Sequence, residues 1–306
     1  MSNLRTYLPV LLIPMIIALN SNTSFAPKIQ TAKAEEFQDI SPEDDYYVSV
    51  NHLREKGIIN GYDDNTFKAN QPINRAEALK MITKASEIFD ENALEEVSES
   101  PFADVTPEDW YTKYLVAAKE KGIINGYDDG SFKPEQNINL VETLKILFES
   151  YGDFDFESTI DYSYDDTPAE AWFKKYTSYA GAKGIVNIYK SNTISPEQEM
   201  TRGYLAEVIY RTMLSREGYE FGKATWYFGL PTDDGNTLTT AHKYLPKGSK
   251  IEVTNLNNGK SIEVTVTDRG PYGPGRVLDL SKTAFSEIAW TGTGVIKIEY
   301  KVTHLP

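Results

Sequence analysis

Cysteine is absent from the 306 residues, which excludes a disulfide framework, a thiolate metal site and lipid attachment through a cysteine. Histidine occurs three times, too few and too scattered to build a zinc site. Neither a metal nor any other cofactor is implied. Basic residues are scarce as well: 31 Lys and Arg stand against 45 Asp and Glu, a formal net charge of −14. Such a chain repels nucleic acid and anionic lipid, so neither is expected as a partner. The apolar run from Tyr7 to Leu19, about 13 residues, is too short to cross a bilayer.

That run follows Arg5 and precedes a small-x-small pattern at Ala32-Lys33-Ala34, so residues 1–34 read as a secretory signal. The expected location is outside the cell, with no membrane tie once the signal is removed. The remaining charge is uneven. Residues 35–221 hold 37 Asp and Glu against 18 Lys and Arg, a balance of −19. Residues 222–306 hold 8 against 10, a balance of +2. This shift, and a change from helical to alternating patterns, places the main boundary near Gly218–Gly222 and implies more than one domain.

The acidic part is a repeat. Gly57-Ile-Ile-Asn-Gly-Tyr-Asp-Asp-Asn-Thr-Phe67 returns as Gly122-Ile-Ile-Asn-Gly-Tyr-Asp-Asp-Gly-Ser-Phe132, 65 residues on, and Gly184-Ile-Val-Asn-Ile-Tyr189 follows after 62 more. Phe37-Gln-Asp-Ile, Phe102-Ala-Asp-Val and Tyr164-Asp-Asp-Thr open the copies, expected at 35–100, 101–160 and 161–217. Each copy reads helix, turn, helix. Ser41-Pro42, Thr106-Pro107 and Thr167-Pro168 carry helix-start signals, with Asp44, Asp109 and Glu170 following. Gly57, Gly122 and Gly184 stop the first helices, and Asn74 and Asn139, with Glu77 and Glu142, cap the second. Tyr111, Leu115 and Ala118 share one helical face, as do Leu144, Leu147 and Tyr151, and these stripes are expected to pack into one all-α bundle. Trp110 and Trp172 adjoin the first-helix stripes and read as core. Asp63-Asp64-Asn65 and Asp128-Asp129-Gly130 read as turns, because the spacing of a calcium loop is lacking.

These copies resemble the S-layer homology (SLH) domain, with its Gly-x-x-x-Gly-Tyr-x-Asp-Gly-x-Phe and Ile-Thr-Arg-Ala-Glu signatures. The resemblance implies noncovalent anchoring to a secondary cell-wall polymer, often pyruvylated. Arg75 in Asn74-Arg-Ala-Glu77 and Arg202 in Thr201-Arg-Gly-Tyr204 hold the signature arginine position, where a guanidinium fork would meet a ketal carboxylate. Leu140 replaces that arginine in the second copy, and Lys190-Ser-Asn replaces the acidic turn in the third. At most two of three grooves are therefore expected to work, with the second copy's groove disabled.

From Gly222 onward the pattern has period two. Ile251-Glu-Val-Thr-Asn-Leu256 and Ile262-Glu-Val-Thr-Val266 flank Asn257-Asn-Gly259, a hairpin with its turn residues in place. Ile296, Ile298, Tyr300 and Val302 form a closing strand, and Ser281 to Ala289 reads as a short helix capped by Ser281. Short strands with one helix over some 85 residues point to a small closed barrel. The strand holding Val264 and Val266 runs into Asp268, a loop rich in Gly and Pro follows, and Asp279 precedes the helix.

Gly222-Lys-Ala-Thr-Trp-Tyr227, Leu238-Thr-Thr-Ala-His-Lys-Tyr-Leu-Pro246, Thr267-Asp-Arg-Gly-Pro-Tyr272 and Gly275-Arg-Val-Leu-Asp-Leu-Ser281 resemble the rare-lipoprotein-A family. The resemblance implies a double-psi β-barrel over 218–306 and lytic transglycosylase activity on peptidoglycan glycan strands, with a 1,6-anhydro product. The related expansin barrel shares the Asp-Leu-Ser element, so a non-catalytic, wall-loosening module is the competing expectation. Asp268 matches the family's catalytic Asp, and Asp279 matches the second barrel carboxylate. Trp226, Tyr227 and Tyr272 are candidates to stack on sugars, and Asp234 and His242 align with family motif positions. Arg269 and Arg276 would hold substrate oxygens or pair with the two aspartates. Pro231 stands where the family carries a Glu, with Asp233 as a displaced substitute.

Overall fold

One aspartate in each repeat closes the turn that follows its first helix. Asp39 accepts from Phe67 N and Lys68 N, both at 2.7 Å, and Asp104 accepts from Phe132 N and Lys133 N, both at 2.8 Å. Asp166 does the same for Ile194 N and Ser195 N. Lys68, Lys133 and Ser195 all adopt positive φ, so the charged acceptor offsets a backbone strain that recurs three times. The ring that opens each motif also has a place: a Cβ at Gly61 would lie 2.4 Å from Phe37, and one at Gly126 would lie 2.5 Å from Phe102.

The computed structural model describes residues 36–86, 99–157, 163–186, 193–228, 238–273 and 275–306. The candidate signal, Lys190, Pro231, Asp233 and Asp234 lie outside the described residues. Each repeat contributes two helices: α1 (Tyr47–Glu55) and α2 (Arg75–Ala85), α3 (Thr112–Glu120) and α4 (Leu140–Tyr151), α5 (Lys174–Ala182) and α6 (Arg202–Arg216). The second helices start where their caps predict, with Asn74 and Asn139 accepting from Glu77 N and Glu142 N. The first helices start later than Ser41-Pro42 and Thr106-Pro107 imply. Asp44 and Asp109 do bond back to Ser41 and Thr106, but successive three-residue turns intervene before the helix. The cap chemistry is therefore made on a turn.

Helices of all three repeats share one apolar core. At its centre Ile73 N donates to Met200 O, Met200 N to Ile138 O, and Ile138 N to Ile73 O, a closed ring of hydrogen bonds with one member per repeat. All three side chains are fully buried. The second helix of each repeat consequently begins against another repeat: Arg75 N donates to Gln136 O, Leu140 N to Gln198 O, and Arg202 N to Gln71 O.

The remainder is a six-stranded closed barrel built from β1 (Glu220–Tyr227), β2 (Thr239–His242), β3 (Lys250–Asn255), β4 (Ser261–Asp268), β5 (Arg276–Ser281) and β6 (Val295–His304). The strand order around it is β1-β5-β2-β4-β3-β6, with parallel pairs β1–β5 and β2–β4. Helix α7 (Lys282–Ile288), capped by Ser281 Oγ, packs Phe285 and Ile288 into a core with Val253, Val266, Leu280 and Ile298. The Asn257–Gly259 turn joins β3 to β4 as the hairpin signal predicts. The barrel rests on α6: Tyr210, Leu214, Phe221 and Leu256 form a separate small core, and Lys297 pairs with Asp45 at 2.7 Å.

Candidate functional site: a carboxylate row on the barrel and two arginine grooves

The barrel registers bring Asp268 and Asp279 into one row. Ala241 on β2 is opposite Asp279 on β5 and partners Asp268 on β4. Val264 and Val266 point inward, so strict alternation would bury Asp268 as well. Between Thr240 and Ala241, however, the partner jumps from Val266 to Asp268. The skipped Thr267 is a bulge that re-aims the carboxylate outward. The row continues from Asp279 to Thr225 on β1 and to Val295 on β6. With strands about 4.8 Å apart, the two aspartates lie roughly 10 Å from each other across the small side chain of Ala241.

The aspartates differ in surroundings. Asp268, the last residue of β4, has a side chain 43 % exposed, lies 3.6 Å from Lys247 Nζ and accepts from Arg269 N at 2.8 Å. Asp279 is mid-strand and more covered; it accepts from Thr225 Oγ1 at 2.6 Å, and Arg276 Nη2 lies 3.4 Å away while also donating to Thr225. Arg276 thus pairs with Asp279, one of its two expected roles. Arg269 turns away from Asp268 and donates to Leu245 O at 2.7 Å, which fixes the loop after β2.

Three residues expected to meet sugar serve the scaffold instead. His242 is buried; its Nδ1 accepts from Tyr244 N and Leu245 N, and its Nε2 bonds Tyr300 OH at 3.1 Å. Tyr300 in turn donates to Glu220. Nδ1 as acceptor sets the Nε2–H tautomer, and burial lowers the pKa, so the ring stays neutral and neither nitrogen remains for a substrate. Trp226 packs partly against the barrel core and donates from Nε1 to Thr291 O at 2.9 Å. Arg269, committed to carbonyls, is the third. Tyr227 lies beside the row with its OH 3.4 Å from Thr239 Oγ1, and Tyr272 stands exposed on the loop between β4 and β5.

In the repeats, each arginine reaches across to another copy's turn. Arg75 Nε donates to Phe132 O at 3.0 Å, its Nη1 lies 3.1 Å from Glu142, and its guanidinium covers Tyr127 and Phe132. Arg202 Nε donates to Phe67 O at 2.9 Å, with Glu77 at 3.9 Å and Tyr62 and Phe67 beneath. Two cavities of about 180 Å³ result. One is lined by Gly61, Tyr62, Glu77, Lys80, Trp110 and Arg202, the other by Gly126, Glu142, Lys145, Trp172 and Arg75. Each draws on all three repeats. Trp110 and Trp172 are about half exposed and line these cavities, contrary to the expectation of core positions; they follow the turns before α3 and α5 and not the buried stripe.

This geometry relocates the disabled groove. Leu140 faces the third repeat, since Leu140 N and Val141 N donate to Gln198 O and Pro196 O. The second repeat's own groove receives Arg75 and is intact. At the third repeat, Gly184, equivalent to Gly57 and Gly122, lies under the barrel: a Cβ there would be 2.8 Å from Phe221 O, whereas Gly57 and Gly122 have open space. Arg211 Nη1 donates to Gly184 O and its guanidinium lies over Phe221. The barrel thus covers Gly184, the first residue of the third repeat's motif.

Residues 222–300 match the lytic transglycolase family, and residues 36–79, 101–140 and 163–203 each match the S-layer homology domain. The endolytic peptidoglycan transglycosylase RlpA of Campylobacter jejuni is 34% identical over 139 residues, covering 42% of this chain and 46% of its own length. The protein of that name from Pseudomonas aeruginosa is 45% identical over 89 residues, 26% of each chain. A solved structure of apo expansin from Clavibacter michiganensis is 22% identical over 29% of this chain and 52% of its own, with a TM-score of 0.25. The chain spans less than half the length of these curated relatives. By its segments, the chain carries three S-layer homology domains ahead of a six-stranded barrel domain that matches the lytic transglycolase family.

Proposed function

We propose that this is an exported wall protein whose helical repeats, acting as one bundle, hold it on a secondary polymer while the barrel cleaves peptidoglycan glycan strands. The division is 35–100, 101–160 and 161–217 for the repeats and 218–306 for the barrel, behind a removable signal at 1–34. The observation that carries the reading is the row Asp268–Ala241–Asp279, two carboxylates on one outward strip with a minimal side chain between them.

Asp268, protonated, gives its proton to the glycosidic oxygen leaving N-acetylmuramic acid as the C1–O bond breaks. The sugar's own 6-hydroxyl oxygen then bonds to C1, and its proton returns to Asp268, so one carboxyl group serves as acid and base. Asp279, held by Thr225 and Arg276, orients the sugar. Tyr227 and Tyr272 supply stacking faces beside the row, and Asp234 adds a polar contact. The relatives named as endolytic peptidoglycan transglycosylases support this chemistry for the barrel.

In the two grooves, Arg202 and Arg75 meet an anionic polymer substituent such as a pyruvate ketal, beside Trp110 and Trp172. Glu77 lies farther from its arginine than Glu142 does, so the Arg202 groove yields to an incoming carboxylate more readily. Tethering raises the barrel's local concentration at the glycan.

Pro231 at the family's Glu position favours a second reading, in which the barrel grips glycan without cleaving it. The full chain incubated with purified glycan strands separates the two. Mass spectrometry should find 1,6-anhydromuramic ends, lost in Asp268→Asn. Ends that persist in that variant refute Asp268 as the acid, and their absence from the parent protein favours the gripping module. Wall binding should fall when secondary polymer is stripped, and in Arg75→Ala with Arg202→Ala.

A further inference from the structure

The row that holds the two aspartates does not stop at Thr225. Its next member, Val295 on β6, is half exposed and borders a second cavity of about 530 Å³, a size suited to a small-molecule or sugar ligand. The cavity is lined by Trp290, Asn257, Lys223, Val295 and Lys297 of the barrel and by Glu43 of the first repeat. It therefore exists only where barrel and repeats meet. Trp290 is 79 % exposed, yet its ring is seated: a Cβ at Gly292 would lie 2.3 Å from it, so one face rests on that glycine. The turn beneath is pinned, since Trp226 Nε1 donates to Thr291 O and Thr293 N to Trp290 O. The opposite wall is equally fixed. Asn255 and Asn258 donate to Ile288 O, and Asn255 also receives Asn257 N. The Asn257 carboxamide has no partner among the described residues.

A large indole face held in place, a free carboxamide and an exposed carboxylate at Glu43 are what a saccharide ring needs: one apolar face to stack and hydroxyls to pair. A strand crossing Asp268 and Asp279 along the row arrives at this cavity two strand spacings beyond Asp279, roughly 10 Å. We propose that the cavity is a distal subsite for the same glycan strand, with a hexosamine ring stacked on Trp290. This rests on the reading of the barrel as a glycan-binding domain and extends it: the subsite makes the protein prefer long strands, and its wall from the first repeat couples that preference to the docked arrangement of the two parts.

The test measures binding of muramyl glycan oligosaccharides, free of secondary polymer, to the full chain carrying Asp268→Asn so that nothing is consumed. A disaccharide reaches the aspartates alone, and a dodecasaccharide reaches both places. Trp290→Ala should weaken the dodecasaccharide about tenfold and leave the disaccharide unchanged. Trp290→Tyr should restore most of the loss. Gly292→Val, which keeps the indole but unseats it, should reproduce the loss, with an unchanged melting temperature excluding misfolding. Equal binding of both ligands by Trp290→Ala and its parent overturns the subsite, as does an equal loss for both lengths, which would put Trp290 within the primary site. A parent that binds neither length removes the glycan-binding reading itself, and the subsite with it.

Discussion

Arg202 donates from Nε to the carbonyl of Phe67, 135 positions earlier, and closes the third repeat onto the first. Arg75 makes the same bond to Phe132, so two of the three seams in the ring carry a buried guanidinium and the third carries Leu140. At that third seam the residue equivalent to Glu77 and Glu142 is Tyr204, so an arginine introduced there lacks the carboxylate that Arg75 and Arg202 meet. Leu140→Arg should therefore cost about 3 kcal/mol or more, the penalty for an unpaired buried charge. It should add no wall binding, because the barrel covers Gly184 at the head of that repeat's motif. Denaturant unfolding measures the first effect and wall sedimentation the second; a gain in binding would contradict the covered groove.

The turn aspartates give a cleaner stability test, since they lie away from both cavities. Asp104 holds two backbone N–H groups, one of them on Lys133 at positive φ. Asp104→Ala leaves both donors without a charged acceptor, and a loss of about 2–3 kcal/mol is expected. Asp104→Asn keeps one acceptor and should lose about half as much. Thermal melts of the two variants decide it; equal melting temperatures for Asp104→Ala and the parent would remove the clamp.

Glu299 makes the contact between barrel and repeats sensitive to pH. It lies on β6 against α6, accepts from Tyr210 OH at 2.7 Å, and has Glu207, Arg211 and Glu252 around it. Burial pushes its pKa up to about 7 from an ordinary 4.5. Between those two values the folded protein keeps a proton that the unfolded chain has released. Its contribution is thus favourable at low pH and is lost as pH rises through 7, by about 3 kcal/mol in full. His52 and His242, whose pKa values burial lowers, act with the opposite sign as pH falls through 6.5. The difference between parent and Glu299→Gln isolates the glutamate: the variant should gain on the parent as pH goes from 5 to 8, read as a rising difference in urea midpoint.

Much of this was legible in the residues, and the limits are instructive. Asn74, Asn139 and Ser281 cap helices because a short polar side chain three residues before a free N–H has one good partner. The Asn257–Gly259 hairpin follows from turn chemistry in the same local way. What could not be read was anything fixed by a distant strand or repeat. His242 and Trp226 looked like site residues by their motif neighbours, but Tyr300 and Thr291, 58 and 65 positions away, claim their polar atoms. Which groove Leu140 disables depends on the ring closing in one direction, and no local pattern encodes that. The bulge at Thr267 likewise appears only once β2 supplies a register, although an aspartate breaking the Val264, Val266 alternation was its one visible trace.

Ala241 offers the most selective probe of the carboxylate row, because it carries no chemistry of its own. It sits opposite Asp279 and beside Asp268, and both aspartates keep their other contacts when it changes. Cross-strand side chains on one face stand about 5 Å apart, so a leucine here fills the space over which a sugar ring must pass. Ala241 is buried, so Ala241→Leu should cost about 1–3 kcal/mol of stability by overpacking, and its cleavage is to be compared at a temperature where circular dichroism shows the variant folded. Release of 1,6-anhydromuramic ends should fall at least tenfold, mainly through a raised KM, as expected when ground-state and transition-state binding suffer alike. Ala241→Ser, which keeps the size, should cleave like the parent. If the leucine variant cleaves normally, glycan does not lie across the row, and the two aspartates cannot flank one bond.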